Sequence, residues 1–440
     1  MNIGHGPRTR LLAAFVAVTL TACATPPQRT GSGAETALVD STPPAGGEVE
    51  SLRWVLGAEP PSLDWVYAYD YPPNTVLANV CESLLRIGPD FAAQPNLAAS
   101  VENPDPLTWI YRLRSGVTFH DGTPMTSEDV AFSLNRHRDK QVGSYWSAAF
   151  SRVTDITATA PDTVTVTLSA ADPLFNQMMA VAPGVVESKA YLTAKAESYG
   201  TPDGGVSCTG PFRLDRWAKG QSIRLVRNEA YWDVARAAKA RAAEFVFVAD
   251  PAAQVNALST GEVDGVFGPP VNGRDALSRS GVGNLYYGRQ TSTINLIVGD
   301  LKGPLADVRI RRALSLAIDR EGFITAALGG NAEPSRAVAA KLTWGQGATR
   351  AAYEKAWNAL PAPKQDIEAA KRLVAEAGAP SRPIVLATSA SPVVTTLGNE
   401  VQAAAQRIGL RVELKTLPVD AYGGLFGSAK SREGIDLFYT

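Results

Sequence analysis

The chain has 440 residues, a formal net charge of −1, 45% hydrophobic residues and 19% charged residues. Its length exceeds the roughly 100–200 residues of one ordinary domain, so two or three packed units are expected. The apolar share excludes a disordered chain or a multi-span membrane protein, and the near-zero charge offers no electrostatic basis for binding nucleic acid.

Arg8 and Arg10 precede an apolar run at residues 11–20, which ends in Leu20-Thr21-Ala22-Cys23. A basic stretch, a short apolar run and a small-residue site predict a secretory signal over residues 1–22. The run is too short for a membrane span, which takes about 20 apolar residues. Its ending resembles the bacterial lipobox, which implies cleavage before Cys23 and a diacylglyceryl thioether on that residue. The alternative is a plain signal with an incidental cysteine. One acyl chain holds a protein only marginally, whereas two or three make a durable anchor. Residues 23–46 are rich in Thr, Pro, Ser, Gly and Ala and read as a flexible tether.

The body opens with a strand in which Leu52, Trp54 and Leu56 alternate with Arg53 and Val55, ended by Pro60-Pro61. A helix after Pro72-Pro73 is expected to carry Val76, Val80, Leu84 and Leu85. Trp109, Tyr111 and Leu113 share one face of a strand, and Asp121-Gly122 marks a turn. Thr126-Ser127-Glu128-Asp129 reads as a capping box that opens a helix with Val130, Phe132 and Leu134. Val164, Val166 and Leu168 interleave with threonines in the cleanest strand. Farther on, strands at 223–226 and 245–248 lead to Asp250-Pro251, an N-cap with proline in the first turn. Gly261 closes that helix, and residues 262–267 return as a strand, making a βαβ-like unit. Asp307 caps a helix with the stripe Ile310, Ala313, Leu314 and Ala317. Another helix holds Ile367, Ala370 and Val374, with Glu368 and Arg372 as an i,i+4 pair and Gly378 past its end. Residues 383–388, 401–407, 411–415 and 435–439 continue as strand, helix, strand and strand. This alternation predicts α/β lobes with largely parallel sheets.

Cys81 and Cys208 remain in the body. An exported compartment permits a disulfide between them, and two separately buried thiols are the other possibility. Catalytic constellations are scarce. His120 and His137 are the body's histidines, with no G-x-S-x-G elbow, no metal-spaced Cys/His cluster and no phosphate-binding P-loop. No cofactor or metal ligand is expected, and binding is the natural task for such a body.

Four stretches closely resemble the family 5 bacterial extracellular solute-binding proteins, the peptide- and nickel-binding group. They are Pro61-Ser62-Leu63-Asp64 with Asn79-Val80-Cys81-Glu82-Ser83-Leu84-Leu85; Tyr111-Arg112-Leu113-Arg114 through His120-Asp121-Gly122-Thr123-Pro124 to Glu128-Asp129-Val130; Thr209-Gly210-Pro211-Phe212 with Arg227-Asn228-Glu229-Ala230-Tyr231-Trp232; and Asp307-Val308-Arg309 through Asp319-Arg320. Trp65 and Cys81 stand where the family usually has proline and tyrosine. The resemblance implies a two-lobed periplasmic-binding-protein type II-like fold with an inserted subdomain. Lobe I would comprise residues 47–66 and 185–292, the inserted subdomain 67–184, and lobe II 293–440.

It further implies a monomeric lipoprotein on the outer face of the cytoplasmic membrane, on the periplasmic or extracellular side. There it captures a peptide or similar small solute for the permease and ATPase subunits of an ABC transporter. Nickel chelates, glycosides and opines are other solutes of the group. The lobes would swing about residues 287–295, and ligands in this fold class gather at strand ends facing the cleft. The candidate solute contacts are therefore Trp65, Tyr67, Asp70 and Tyr71, together with Tyr439 and Thr440. Packing of Tyr67 and Tyr71 in a core is the alternative. Relative to the family the chain reads as shortened at its C-terminus. Members continue past the point matching Phe438-Tyr439-Thr440, with a segment that completes the first lobe and holds the acidic partner of a peptide's amino terminus in dipeptide binders. A sheet edge left uncovered by such shortening would invite pairing with other chains. Two other functions fit the same residues less well: a lipoprotein sensor or scaffold without transport, and an exported hydrolase.

Overall fold

The computed structural model describes residues 38, 39, 41–344, 347–427 and 429–440. Cys23, the expected signal and most of the expected tether lie outside the described residues.

Strand β1 (Val49–Leu56) ends in Val55 and Leu56, both buried, although the alternation assigns Val55 to the outer face. Leu56 joins the main core of the first lobe, while Val55 packs with Ala257 and Val263. A strand covered on both faces is what a parallel neighbourhood provides.

Helix α1 (Tyr71–Val80) stops before Leu84 and Leu85, contrary to the expectation from periodicity. Two long-range constraints end it. Cys81 is extended and disulfide-bonded to Cys208, with Cα atoms 4.8 Å apart, and the next residues pair with the chain at 184–186. Leu85 then starts β2 (Leu85–Ile87), which pairs with β3 (Ala93–Pro95).

The inserted body is a four-stranded sheet in the order β4 (Ala98–Asp105), β5 (Thr108–Leu113), β7 (Thr163–Leu168), β6 (Val153–Ala160), all antiparallel. Two-residue connections at 106–107 and 161–162 allow no crossover, so the largely parallel expectation fails here. Helix α2 (Ser127–Arg136) covers the sheet and begins with the expected capping box. Thr126 Oγ1 accepts from Asp129 N–H, and the Asp129 carboxylate accepts from Thr126 N–H at 2.9 Å. Tyr111, Leu134, Val164, Val166 and Phe175 form its core. The short helices α3 (Phe175–Met178) and α4 (Lys189–Lys195) lead back to the first lobe.

There, β8 (Phe212–Ala218) and β9 (Ser222–Arg227) form a hairpin through Gly220, whose φ of +73° suits the turn. β10 (Ala240–Phe247), α5 (Pro251–Thr260) and β11 (Gly265–Val266) make the expected βαβ unit, with β10 and β11 flanking β1 in parallel. The sheet order is β11-β1-β10-β9-β8, parallel at one side and antiparallel at the other. From α6 (Arg274–Ser280) the chain crosses through residues 281–295 to β12 (Leu296–Val298) in the second lobe.

That lobe packs α7 (Val308–Ala317), α8 (Arg320–Leu328), α10 (Ile367–Ala377), α11 (Pro392–Arg407) and α12 (Val419–Gly427) around a second sheet, while α9 (Gly347–Ala359) rests its Tyr353 and Trp357 rings against Trp344. The sheet's order is β12, β15 (Leu437–Tyr439), β13 (Ile384–Thr388), β14 (Val412–Thr416), with β12 alone antiparallel. Ile310, Ala313, Leu314 and Ala317 are all buried, as their stripe predicts. Glu368 pairs with Lys371 at 2.9 Å, not with Arg372.

Candidate functional site

The aromatic run after β1 is fixed at its start by buried charge. Leu63 N–H donates to the Gly200 carbonyl at 2.8 Å, and Asp64 turns the chain by accepting from Val66 N–H at 3.1 Å. Arg136, at the end of α2, grips Asp64 with both terminal nitrogens, at 3.0 and 2.6 Å, and reaches Glu187 at 2.6 Å. The Tyr199 hydroxyl donates to Glu187 at 2.9 Å. Two carboxylates share one guanidinium away from water. Burial first, and then the Asp64 charge, push the Glu187 carboxyl up to about 7.

From this anchor the run zips to a loop of the inserted body. Trp146 Nε1–H donates to the Trp65 carbonyl at 3.2 Å, Tyr145 N–H to the Val66 carbonyl at 2.9 Å, and the Tyr67 hydroxyl to the Val142 carbonyl at 2.9 Å. Tyr69 stacks on Tyr145 with centroids 4.7 Å apart. Burial, with Asp70 and Tyr145 nearby, raises the Tyr69 phenol above its ordinary value.

The six expected contacts divide among three places. Trp65, 7% exposed, lies on the wall of a cavity of about 580 Å³ inside the first lobe, shared with Trp146, Glu82, Arg86, Tyr231 and Arg236. Tyr67 and Tyr71 are exposed, the latter at 73%, so neither is packed in a core. Asp70 is the N-cap of α1, accepting from Tyr71 N–H at 2.7 Å. Tyr439 and Thr440 lie at the end of β15. Tyr439 N–H donates to the Tyr422 hydroxyl, which itself donates to the Tyr439 carbonyl, each at 3.0 Å, and Thr440 N–H donates to the Asn295 carbonyl at 3.0 Å. Tyr71 comes near enough to Tyr439 to add to the burial that raises its phenol. The structure thus puts Tyr71 within electrostatic range of Tyr439, and leaves Trp65 on the cavity wall in the first lobe.

Sequence reasoning missed Tyr69 and Tyr145. Tyr69 also crosses to the second lobe, where its hydroxyl sits over Gly423 of α12. The Tyr145-Trp146 doublet after Gly143 was the available signal, but nothing local ties it to residues 65–71.

Within the cavity wall, Glu82 accepts from Thr209 Oγ1 at 2.9 Å and from Tyr231 Oη and Trp232 Nε1 at 2.8 Å each, with Arg236 at 3.6 Å. Burial still holds its carboxyl above the ordinary range. The histidines are occupied. His120 Nδ1 accepts from Cys208 N–H at 3.3 Å and Nε2 faces the Gly210 carbonyl at 3.1 Å; His137 Nδ1 meets Ser144 Oγ at 2.7 Å. Burial lowers both to about 4, so they are neutral near pH 7, and His120 has both ring nitrogens engaged. Among the described residues no group of three or more His, Cys, Asp or Glu could hold a metal, and no helix is long and apolar enough to cross a membrane.

Two α/β lobes, one of them carrying an inserted antiparallel body, give the chain the fold of the type II periplasmic binding proteins. The chain belongs to the bacterial extracellular solute-binding proteins, family 5: the profile of that family's middle region matches residues 92–437. The periplasmic oligopeptide-binding protein OppA of Salmonella typhimurium is 26% identical over 356 residues, covering 76% of this chain and 64% of that protein. The periplasmic murein peptide-binding protein MppA of Escherichia coli is 27% identical over 303 residues, covering 66% and 56%. The solved structure of OppA from Burkholderia pseudomallei superposes with a TM-score of 0.75 at 20% identity, covering 90% of this chain and 80% of that one. The chain thus spans less than two thirds of these curated relatives. The family binds solutes and is not a family of enzymes, which removes the hydrolase alternative.

Proposed function

We propose that the chain captures a peptide or similarly sized solute between its lobes and delivers it to the permease of an ATP-driven importer. In this reading it works as a monomer, held to the outer face of the cytoplasmic membrane by lipid on Cys23. The observation that carries the reading is the exposed tyrosine run of the first lobe, fixed to a buried ionic anchor and facing the second lobe at Tyr439 and Gly423. Exposed rings on a rigid base supply contact area at little ordering cost, as a trap for varied solutes requires. The names of the relatives point to peptides. Lobe closure is a two-state equilibrium, which a solute shifts only by its differential affinity for the closed form.

A thermal-shift screen of the full chain against a peptide library tests this. A true solute at 100 times its Kd stabilises the protein by about 2.7 kcal/mol and shifts the melting temperature in a concentration-dependent way. Replacing Tyr71 by Ala should weaken that shift without changing the melting temperature of the free protein. A library without a single concentration-dependent shift would count against the capture role.

A further inference from the structure

Tyr69 and Gly423 meet across the lobe border. A Cβ built on Gly423 would stand 2.6 Å from the Tyr69 hydroxyl oxygen and 3.7 Å from the ring carbon that bears it. The hydroxyl therefore rests on bare helix backbone, in a seat that any other residue would fill. Gly423 is not among the glycines with positive φ, so its backbone conformation does not require glycine. Helix interiors disfavour glycine relative to alanine. The closeness of Tyr69 is what gives a missing side chain a purpose there. On the other side, Tyr69 cannot swing away without leaving its stack on Tyr145, and the backbone of Tyr145 is tied to Val66 at 2.9 Å.

We propose that Tyr69 on Gly423 is a clasp that sets how far the lobes close, with Tyr69 the positioning residue and Gly423 its seat. It rests on the reading of the lobes as a solute trap. Its readout, however, is a distance measured without solute, so a failure to find a solute and a failure of the clasp are told apart. A side chain at Gly423 wedges the lobes open and weakens solute capture from a position that need not touch the solute.

The test places spin labels on Val234→Cys in the first lobe and Val338→Cys in the second, residues 84% and 73% exposed. The full chain carries Cys23→Ser, and no reductant is added, so that the Cys81–Cys208 disulfide stays closed. Pulsed electron-electron resonance then compares the parent, Gly423→Ala, Tyr69→Phe and the double variant. Gly423→Ala should move the main distance peak to longer separation, while circular dichroism reports unchanged helix content. The double variant should return to the parent distance, because removing the hydroxyl leaves the new methyl 3.7 Å from the ring, an ordinary contact. Tyr69→Phe alone removes the atom that rests on Gly423 and should hold the peak at the parent distance or move it to shorter separation, never longer. An unchanged peak in Gly423→Ala, or an open double variant, would overturn the clasp.

Discussion

Replacing Arg136 by Met removes the cation that holds the start of the aromatic run in place at Asp64 and nearly conserves side-chain volume. The Arg136 side chain is 9% exposed and makes three hydrogen bonds, two to Asp64 and one to Glu187, whose side chains are themselves 5% and 3% exposed. Removing one partner of a buried pair costs about 3–5 kcal/mol, because the remaining charges keep their desolvation penalty without compensation. Here two carboxylates are left facing each other, so the upper half of that range is expected at pH 8. Acid relieves the penalty by neutralising a carboxylate, so the loss shrinks toward pH 5. Tyr199→Phe removes only the 2.9 Å bond to Glu187 and should cost about 1.5–3 kcal/mol. Urea unfolding at both pH values, followed by tryptophan fluorescence and circular dichroism, measures these losses, and coincident transitions license a single free energy. A loss for Arg136→Met below about 1 kcal/mol at pH 8, or one that grows on acidification, would refute the anchoring role.

Other consequences follow from the same contacts. The Cys81–Cys208 bond closes a sequence separation of 127 residues, for which loop entropy gives at most about 5 kcal/mol; Cys81→Ser with Cys208→Ser should lower the melting temperature, and an unchanged value would contradict this. Thr126→Ala breaks the capping box of α2 and should cost about 1 kcal/mol in urea unfolding. Glu187, raised to about 7 from an ordinary 4.5, binds more protons folded than unfolded between those values, so its contribution to stability declines as pH rises from 4.5 to about 7. His120 and His137, lowered from 6.5 to about 4, act oppositely: their contribution is present above 6.5 and is lost as pH falls toward 4. His120→Gln should therefore flatten the acid side of a stability-against-pH curve, and a curve of unchanged slope would show that His120 does not titrate there.

What could be read in the sequence was what local chemistry decides. Thr126 and Asp129 satisfy each other within one turn, Asp250-Pro251 and Gly261 bound a helix by their own conformational preferences, and the Ile310 stripe needs only a period. The end of α1 could not be read, because a cysteine 127 residues away and a strand-like pairing with 184–186 decide it. Antiparallel order was missed because a count of alternating elements does not register that two connections are two residues long. Glu368 chose Lys371 over Arg372 because both lie within reach on one helix face and only side-chain rotamers separate them.

The aromatic run was picked out by composition, but its support was not. Arg136 lies 72 residues from Asp64 and 51 from Glu187, and each of the three reads alone as an ordinary surface charge. Burial makes them a unit, since a charge with 9% exposure persists only beside its opposite. That unit joins β1's exit, the inserted body and the chain returning from it at the point where the tyrosines leave for the second lobe. The inserted body thereby acts as a brace: Arg136 fixes the start of the run at Asp64 and Tyr145 stacks on Tyr69, so a loss of the brace should reach the lobe border without touching it.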